Sequence, residues 1–382
     1  MREKNYLGSE ILNPMKNRNF LLGLLGLASF LFACEASETV PDSKPEISVI
    51  AYYSGDPNGA DQFEVEKLDQ VIHSFLHLQG NKLALDDAAD SIGIANWVGL
   101  KERNPELKVL LSLGGWGGCK TCSDVFSSEA ARKEFAQSVL DLLVKFKADG
   151  IDLDWEYPGI EGFPGHTFKP EDKPNFTSLV EELRQTLGED YVISFAAGGF
   201  DEFFKESIEW EKVMPLLDNV NIMTYDLVSG FSTVTGHHTP LYSTQEQLRS
   251  TDRAVTFLDS IGVPREKMVI GAAFYARVWE NVANVNNGLY QSGKFKQGVS
   301  FSRQEEYFAS HPGFEFFWDE EAQAPYAYNA DSMLFATYDD SLSVALKTQY
   351  AREKGLGGIM FWELGSDKKT EGLLEAIDQA KR

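Results

Sequence analysis

From residue 47 onward the chain repeats one pattern: a short apolar run, an amphipathic stretch, then another apolar run. Eight runs read as strands: Ile47–Tyr53, Val71–Leu78, Lys108–Leu113, Gly150–Glu156, Tyr191–Ala197, Val220–Tyr225, Met268–Tyr275 and Gly358–Glu363. Several are apolar almost throughout, as expected of parallel strands covered on both faces. Between them, Glu129–Lys147 sets Phe135, Val139, Leu142, Leu143 and Phe146 on one helical stripe, with Ser127 or Ser128 as N-cap. Phe176–Leu187 aligns Phe176, Leu179, Val180, Leu183 and Leu187 and stops at Gly188. Further helices are expected over Gln245–Ile261 and Ser341–Lys354. Eight strands with interleaved helices predict an α/β fold, the (β/α)8 TIM barrel, which needs about 250 residues. The surplus falls between the seventh and eighth strands, residues 279–335, and reads as a small α+β insertion.

The fourth strand carries an unusual face. With a period of two, Asp152, Asp154 and Glu156 point one way and Ile151, Leu153 and Trp155 the other. Carboxylates are costly to bury unless paired, so three on one side of an apolar strand suggest acid/base work. In a barrel of this kind the working face is the C-terminal end of the strands, and Glu156 falls there. A formal net charge of −23 argues against nucleic acid or anionic lipid, which need clustered Lys and Arg, and leaves a neutral substrate compatible. The glycine pairs Gly114-Gly115, Gly198-Gly199 and Gly357-Gly358 fit no phosphate-binding loop, so no nucleotide cofactor is expected. Nor is a metal: His237 and His238, adjacent on an extended chain, point apart and read as loop residues.

Separate stretches then converge. Asp149-Gly150-Ile151-Asp152-Leu153-Asp154-Trp155-Glu156-Tyr157-Pro158 matches D-x-x-D-x-D-x-E and resembles the signature of glycoside hydrolase family 18, the chitinases and their relatives. Ser112-Leu113-Gly114-Gly115-Trp116 resembles the family's third-strand motif, and Asn221-Ile222-Met223-Thr224-Tyr225-Asp226 its sixth. Gly271-Ala272-Ala273-Phe274-Tyr275-Ala276-Arg277 resembles the seventh, with Ala276 replacing a glycine, and Gly357-Gly358-Ile359-Met360-Phe361-Trp362-Glu363-Leu364 the eighth. The resemblance covers residues 47–377 and implies cofactor-free hydrolysis of N-acetylglucosamine polymers, in which the substrate's own 2-acetamido oxygen attacks the anomeric carbon.

It also implies roles. Glu156 becomes the general acid and then the base. Asp154 orients the acetamido N–H, and Asp152 exchanges a hydrogen bond and a proton with Asp154. Tyr225 donates to the acetamido oxygen, and Asp226 hydrogen-bonds near the scissile sugars. Trp362 floors the cleavage subsite; Trp116, Tyr52, Phe75, Tyr157, Met223, Tyr275 and Arg277 match cleft positions. Trp279, Tyr290, Phe295 and Trp318 fall either on a groove wall or in the insertion's core. Two rival readings remain: an endo-β-N-acetylglucosaminidase acting on N-glycans, and a non-catalytic glycan-binding surface protein.

The N-terminal residues follow another logic. Met15-Lys16-Asn17-Arg18-Asn19, the apolar run Phe20 to Phe32, and Ala33-Cys34 read as a secretory leader for which a start at Met15 suffices. Leu31-Phe32-Ala33-Cys34 resembles a bacterial lipoprotein processing box, making Cys34 the expected lipidation site. Residues 35–46, acidic with two prolines, read as a tether. That leaves Cys119 and Cys122, for which a short disulfide is favoured over zinc. The expectation is an exported or surface-anchored monomer.

Overall fold

The computed structural model describes residues 46–382; the leader, Cys34 and nearly all of the tether lie outside them. In chain order the first strands are β1 Ser48–Tyr53, β2 Gln70–Gln79, β3 Lys82–Ala84, β4 Lys108–Gly114, β5 Gly150–Asp154, β6 Val192–Gly198, β7 Asn219–Met223 and β8 Met268–Ala273. The rest are β9 Tyr275–Glu280, β10 Lys294–Ser300, β11 Phe314–Asp319, β12 Ala324–Asn329, β13 Leu334–Thr337 and β14 Gly358–Trp362. Eight of them pair in parallel in the order β1-β2-β4-β5-β6-β7-β8-β14, and β14 closes back on β1. This is the expected (β/α)8 barrel. Strand β3 is an antiparallel hairpin partner of β2, outside the barrel count.

Side-chain alternation sorts the strands' residues into two layers. Ile151, Leu153 and Trp155 join the shell between barrel and helices, where Trp155 lies 5.5 Å from Phe126 and 6.4 Å from Phe176. Ile50, Tyr52, Ile72, Leu110, Val269 and Met360 pack inside the barrel. Burying each large apolar side chain contributes about 1.5–3 kcal/mol, so a one-residue slip of a strand is strongly disfavoured.

The helices start and stop where local chemistry permits. Glu129–Phe146 begins at Ser128, whose Oγ accepts from the Ala131 N–H, and Ser341–Lys354 ends at Gly355 with φ +68°. The helix ending at Leu187 starts earlier than expected, at Asp172. The helix expected over Gln245–Ile261 is only Thr251–Ser260. Gln247 is diverted: its side chain donates to the His237 carbonyl at 2.7 Å and accepts from the His237 N–H at 2.9 Å, holding the preceding residues as loop. Ser250 then caps the shortened helix.

The insertion is wider than residues 279–335. Its antiparallel sheet, β10-β9-β13-β12-β11, begins at Tyr275 and ends at Thr337, and it carries a helix over Phe301–Ser310 where no sustained helical period is expected, its Phe301, Gln304, Tyr307 and Phe308 falling on one short stripe. Trp279 is fully buried in its core, with Phe295 and Tyr290 packed against that core; Trp318 is half-buried at its edge.

A buried ion pair ties the insertion's exit to the barrel. Lys347 Nζ donates to both Asp339 oxygens at 2.8 and 2.7 Å and to Thr239 Oγ1 at 2.5 Å, and neither charged side chain is exposed. Asp339 also accepts from the Ala273 N–H at the end of β8. Replacing Lys347 by Met strands a buried carboxylate, and we expect a loss of about 3–5 kcal/mol by urea denaturation. An unchanged midpoint would mean that the pair contributes little.

Candidate active site

The site is built from the floor of the barrel upward. Asp152 is fully buried and accepts four hydrogen bonds: from Tyr52 at 3.1 Å, Ser112 at 3.0 Å, Ser194 at 2.7 Å and Asn221 at 3.2 Å. Ser112 and Ser194 flank it in register on β4 and β6. Burial raises the pKa of Asp152, and these four donors act against that rise. At the opposite end of the strand Asp149 accepts from the Val109 N–H at 2.6 Å and pairs with Lys101, so it serves the barrel and not the cleft.

Asp154 is different. It is 4% exposed, and its Oδ1 is buried without a hydrogen-bond partner among the described residues. An unbonded buried carboxyl oxygen is costly unless something else completes it. Burial, then the charges of Glu156 and Asp152, raise its pKa well above the ordinary aspartate value. Strand β5 ends at Asp154, short of the expected Glu156, and Glu156 stands just past it at the barrel mouth, 9% exposed. Burial raises Glu156 to about 7; a hydrogen bond from Tyr157 acts the other way, and the Asp226 charge adds to the rise. Carboxyls this close titrate as a coupled set, leaving a protonated acid available at neutral pH.

Close approach by glycine shapes the rim. Gly115 has φ +76° and donates to the Asp154 carbonyl at 2.9 Å; a Cβ there would lie 2.3 Å from the Phe75 ring. Gly271 lets Tyr225 lean across β8, where a Cβ would meet its ring at 2.8 Å. The Tyr225 ring packs inside the barrel near Met360 and 6.4 Å from Tyr275. Phe75, midway along β2, and Trp362, at the end of β14, stack at 5.4 Å with 13° between planes, giving a flat aromatic surface.

A scan against family profiles matches residues 48–367 to Glycosyl hydrolases family 18. The chain belongs to this family. It is 37% identical to chitinase A1 of Niallia circulans over 70% of this chain and 42% of that protein. It is 27% identical to chitinase B of Serratia marcescens over 83% of this chain and 76% of that protein. Among solved structures, a family 18 N-acetylglucosaminidase from Paenibacillus barengoltzii superposes with a TM-score of 0.80 at 36% identity, covering 87% of this chain and 99% of that one. The chain thus spans under half of the first of these relatives.

Within this family 18 barrel the residues named from sequence do not all stand in the cleft. Asp154, Glu156, Tyr225, Asp226, Trp362, Phe75 and Met223 gather at the mouth or just below it. Tyr52 does not face the cleft as expected: it is 1% exposed and bonds Asp152 and Asn221, so it supports the floor. No Asp152–Asp154 hydrogen bond is present among the described residues, because Asp152 is already satisfied by its four donors. Arg277 and Tyr275 belong to the insertion's first strand; Arg277 is engaged on both Asp226 oxygens, not held free for a ligand. Cys119 and Cys122 are joined by a disulfide with Cα atoms 5.1 Å apart.

Three contributors escape the sequence reading. Phe163 at 5.6 Å and Phe231 at 6.1 Å flank the expected cleft residue Trp116, itself 47% exposed, and complete an open aromatic wall drawn from three loops. Asn221, quoted only within its motif, is fully buried and bonds both Tyr52 and Asp152; a lone amide inside an apolar strand was the available signal. The histidine pair read as ordinary loop is instead fully buried. His237 pairs with Asp319 at 2.9 Å, and His238 Nδ1 lies 3.5 Å from Asp226 Oδ1.

Proposed function

We propose that this protein is a chitinase that hydrolyses β-1,4-linked N-acetylglucosamine with retention, the substrate's 2-acetamido oxygen acting as nucleophile. The observation that carries the reading is Asp154: buried, its pKa raised, and holding an unbonded oxygen beside Glu156, whose own pKa is raised to about 7. A buried carboxyl with a raised pKa is a poor nucleophile for a covalent glycosyl-enzyme, while its unbonded Oδ1 is suited to accepting an amide N–H. The sugar at the cleavage position lies on the Trp362–Phe75 surface, its less polar face against the rings. Glu156 gives its proton to the glycosidic oxygen as that bond breaks, and the acetamido oxygen closes on the anomeric carbon. Tyr225 donates to that oxygen and Asp154 accepts from the amide N–H. Glu156, now ionised, takes a proton from water, which opens the ring intermediate with a second inversion.

Product analysis tests this. Chitin oligomers should yield N,N′-diacetylchitobiose, while an N-glycoprotein stays intact. Release of N-glycans with inert oligomers would support the endo-β-N-acetylglucosaminidase reading, and tight binding without turnover the non-catalytic one. A further reading has its own support in the 36% identity with the N-acetylglucosaminidase, and it predicts N-acetylglucosamine monomer as first product. The pH profile gives a second check. Glu156 must be protonated to act, and its pKa is raised to about 7, so kcat/KM should fall as pH rises through about 7. A flat profile across that range would sink the assignment.

We also propose export with lipid attachment at Cys34, on the strength of the basic, apolar and Ala33-Cys34 segments in succession. Labelled palmitate incorporated by the full chain and lost in Cys34→Ala is the expected result; incorporation unaffected by the substitution would refute it.

A further inference from the structure

His238 is buried completely, and neither ring nitrogen has a hydrogen-bond partner meeting ordinary geometry among the described residues. A histidine spends this much desolvation only where its surroundings compensate. Its Nδ1 lies 3.5 Å from Asp226 Oδ1, a distance one hydrogen bond could close, and its ring packs 5.2 Å from that of Tyr275. Its backbone is tied to the same place. The Leu227 N–H donates to the His238 carbonyl at 3.0 Å, and the His238 N–H donates to Thr337 Oγ1 at 3.2 Å. Next to it, Thr239 Oγ1 donates to the Thr224 carbonyl at 3.2 Å. The segment carrying Tyr225 and Asp226, the latter at φ +56°, is thus clamped on both sides by residues 238 and 239.

We propose that His238 is a positioning residue for hydrolysis: its imidazole holds the Asp226 carboxylate where its charge bears on Glu156. This rests on the hydrolase reading above. The groups facing the imidazole are Asp226 from the loop after β7, Tyr275 and Arg277 from β9, and Asp339, paired to Lys347, from the loop after β13. Burial lowers the His238 pKa, Asp226 opposes this, and Arg277 lowers it further. Neutrality matters because a second cation beside Asp226 would cancel the negative charge that helps keep Glu156 protonated. Arg277 bonds both Asp226 oxygens, and His238 Nδ1 stands 3.5 Å from Oδ1.

The test replaces His238 by Phe, which keeps a ring against Tyr275 and removes both nitrogens, and by Asn, whose amide nitrogen reaches about as far as Nδ1. His238→Phe should lower kcat about tenfold with KM within about twofold, and shift the basic limb of kcat/KM to lower pH by about half a unit. His238→Asn should restore both. A folded His238→Phe with wild-type kcat and profile would overturn the proposal, as would a fall in kcat with the limb unmoved. Carbon-13 carboxyl NMR of Glu156 needs no turnover: its midpoint should fall in His238→Phe, and an unchanged midpoint refutes the proposal. If the wild type cleaves no N-acetylglucosamine oligomer, the hydrolase reading fails while this titration still decides the His238–Glu156 link. If His238→Phe does not fold, nitrogen-15 shifts of the wild-type imidazole decide. A neutral Nδ1–H ring from pH 5 to 8 supports the proposal; titration near the ordinary histidine value of about 6.5 overturns it.

Discussion

Glu156→Gln should reduce kcat on chitin oligomers by about 10²–10⁴-fold with little change in KM, because the amide keeps shape and hydrogen bonding but has no proton to give. Its effect on stability should go the other way at neutral and higher pH. Glu156 has a folded-state pKa raised from 4.5 to about 7, so the native state binds its proton more tightly than the unfolded chain does. The resulting stability is fully present below the unfolded value and is lost as pH rises through about 7. Glutamine has no such proton to lose. Thermal unfolding of the variant should therefore decline less than that of the wild type between pH 5 and 8. Kinetics and stability then report on one carboxyl from opposite sides, and a variant slow at every pH with an unaltered stability profile would mean that Glu156 is not the titrating acid.

Asp154→Ala carries the second large effect, a loss in kcat of about 10²–10³-fold, the scale seen when one preorganised polar partner of a developing charge is removed. Alanine cannot accept the acetamido N–H, so the internal nucleophile is left free to rotate away from the anomeric carbon. The wild-type protein buries Asp154 with an unbonded oxygen and a pKa pushed up by burial and by its two neighbours. Removing it relieves that cost, and relieves it more as pH rises. We expect the variant to be at least as stable as the wild type above neutral pH, measured by calorimetry. Full activity in Asp154→Ala would show that the substrate's amide is oriented by something else.

Much of this arrangement was legible in the sequence because the barrel turns strand period into depth. Ile151, Leu153 and Trp155 against Asp152 and Asp154 is an alternation visible in five residues, and the structure sorts them into the outer shell and the barrel interior. What a period cannot give is the partner each side chain finds. Tyr52 and Trp362 are both aromatics at strand ends and follow the paired Ala51 and Phe361 on neighbouring strands, their rings 6.0 Å apart, yet Tyr52 is buried and Trp362 stays partly open. Their difference lies in hydrogen bonding from distant strands: the Tyr52 hydroxyl is held by Asp152 and Asn221. Loop residues are harder still. His238 reaches Asp226 only because Gln247 bonds the His237 backbone twice and Thr337 on β13 receives the His238 N–H, contacts that join parts of the chain 10 and 99 residues apart. Likewise, Phe163 and Phe231 meet Trp116 through loops whose paths no local pattern encodes.

If the substrate supplies its own nucleophile over Asp154 and Tyr225, cleavage must depend on its acetamido group. The most direct measurement compares two chitin oligomers identical except at the sugar cleaved, one bearing the N-acetyl group there and the other a free amine. Cleavage of the first and only background hydrolysis of the second are expected, with both bound in the cleft. Comparable cleavage of the two would contradict that dependence, since an enzyme that tolerates loss of the acetamido oxygen must draw its nucleophile from elsewhere.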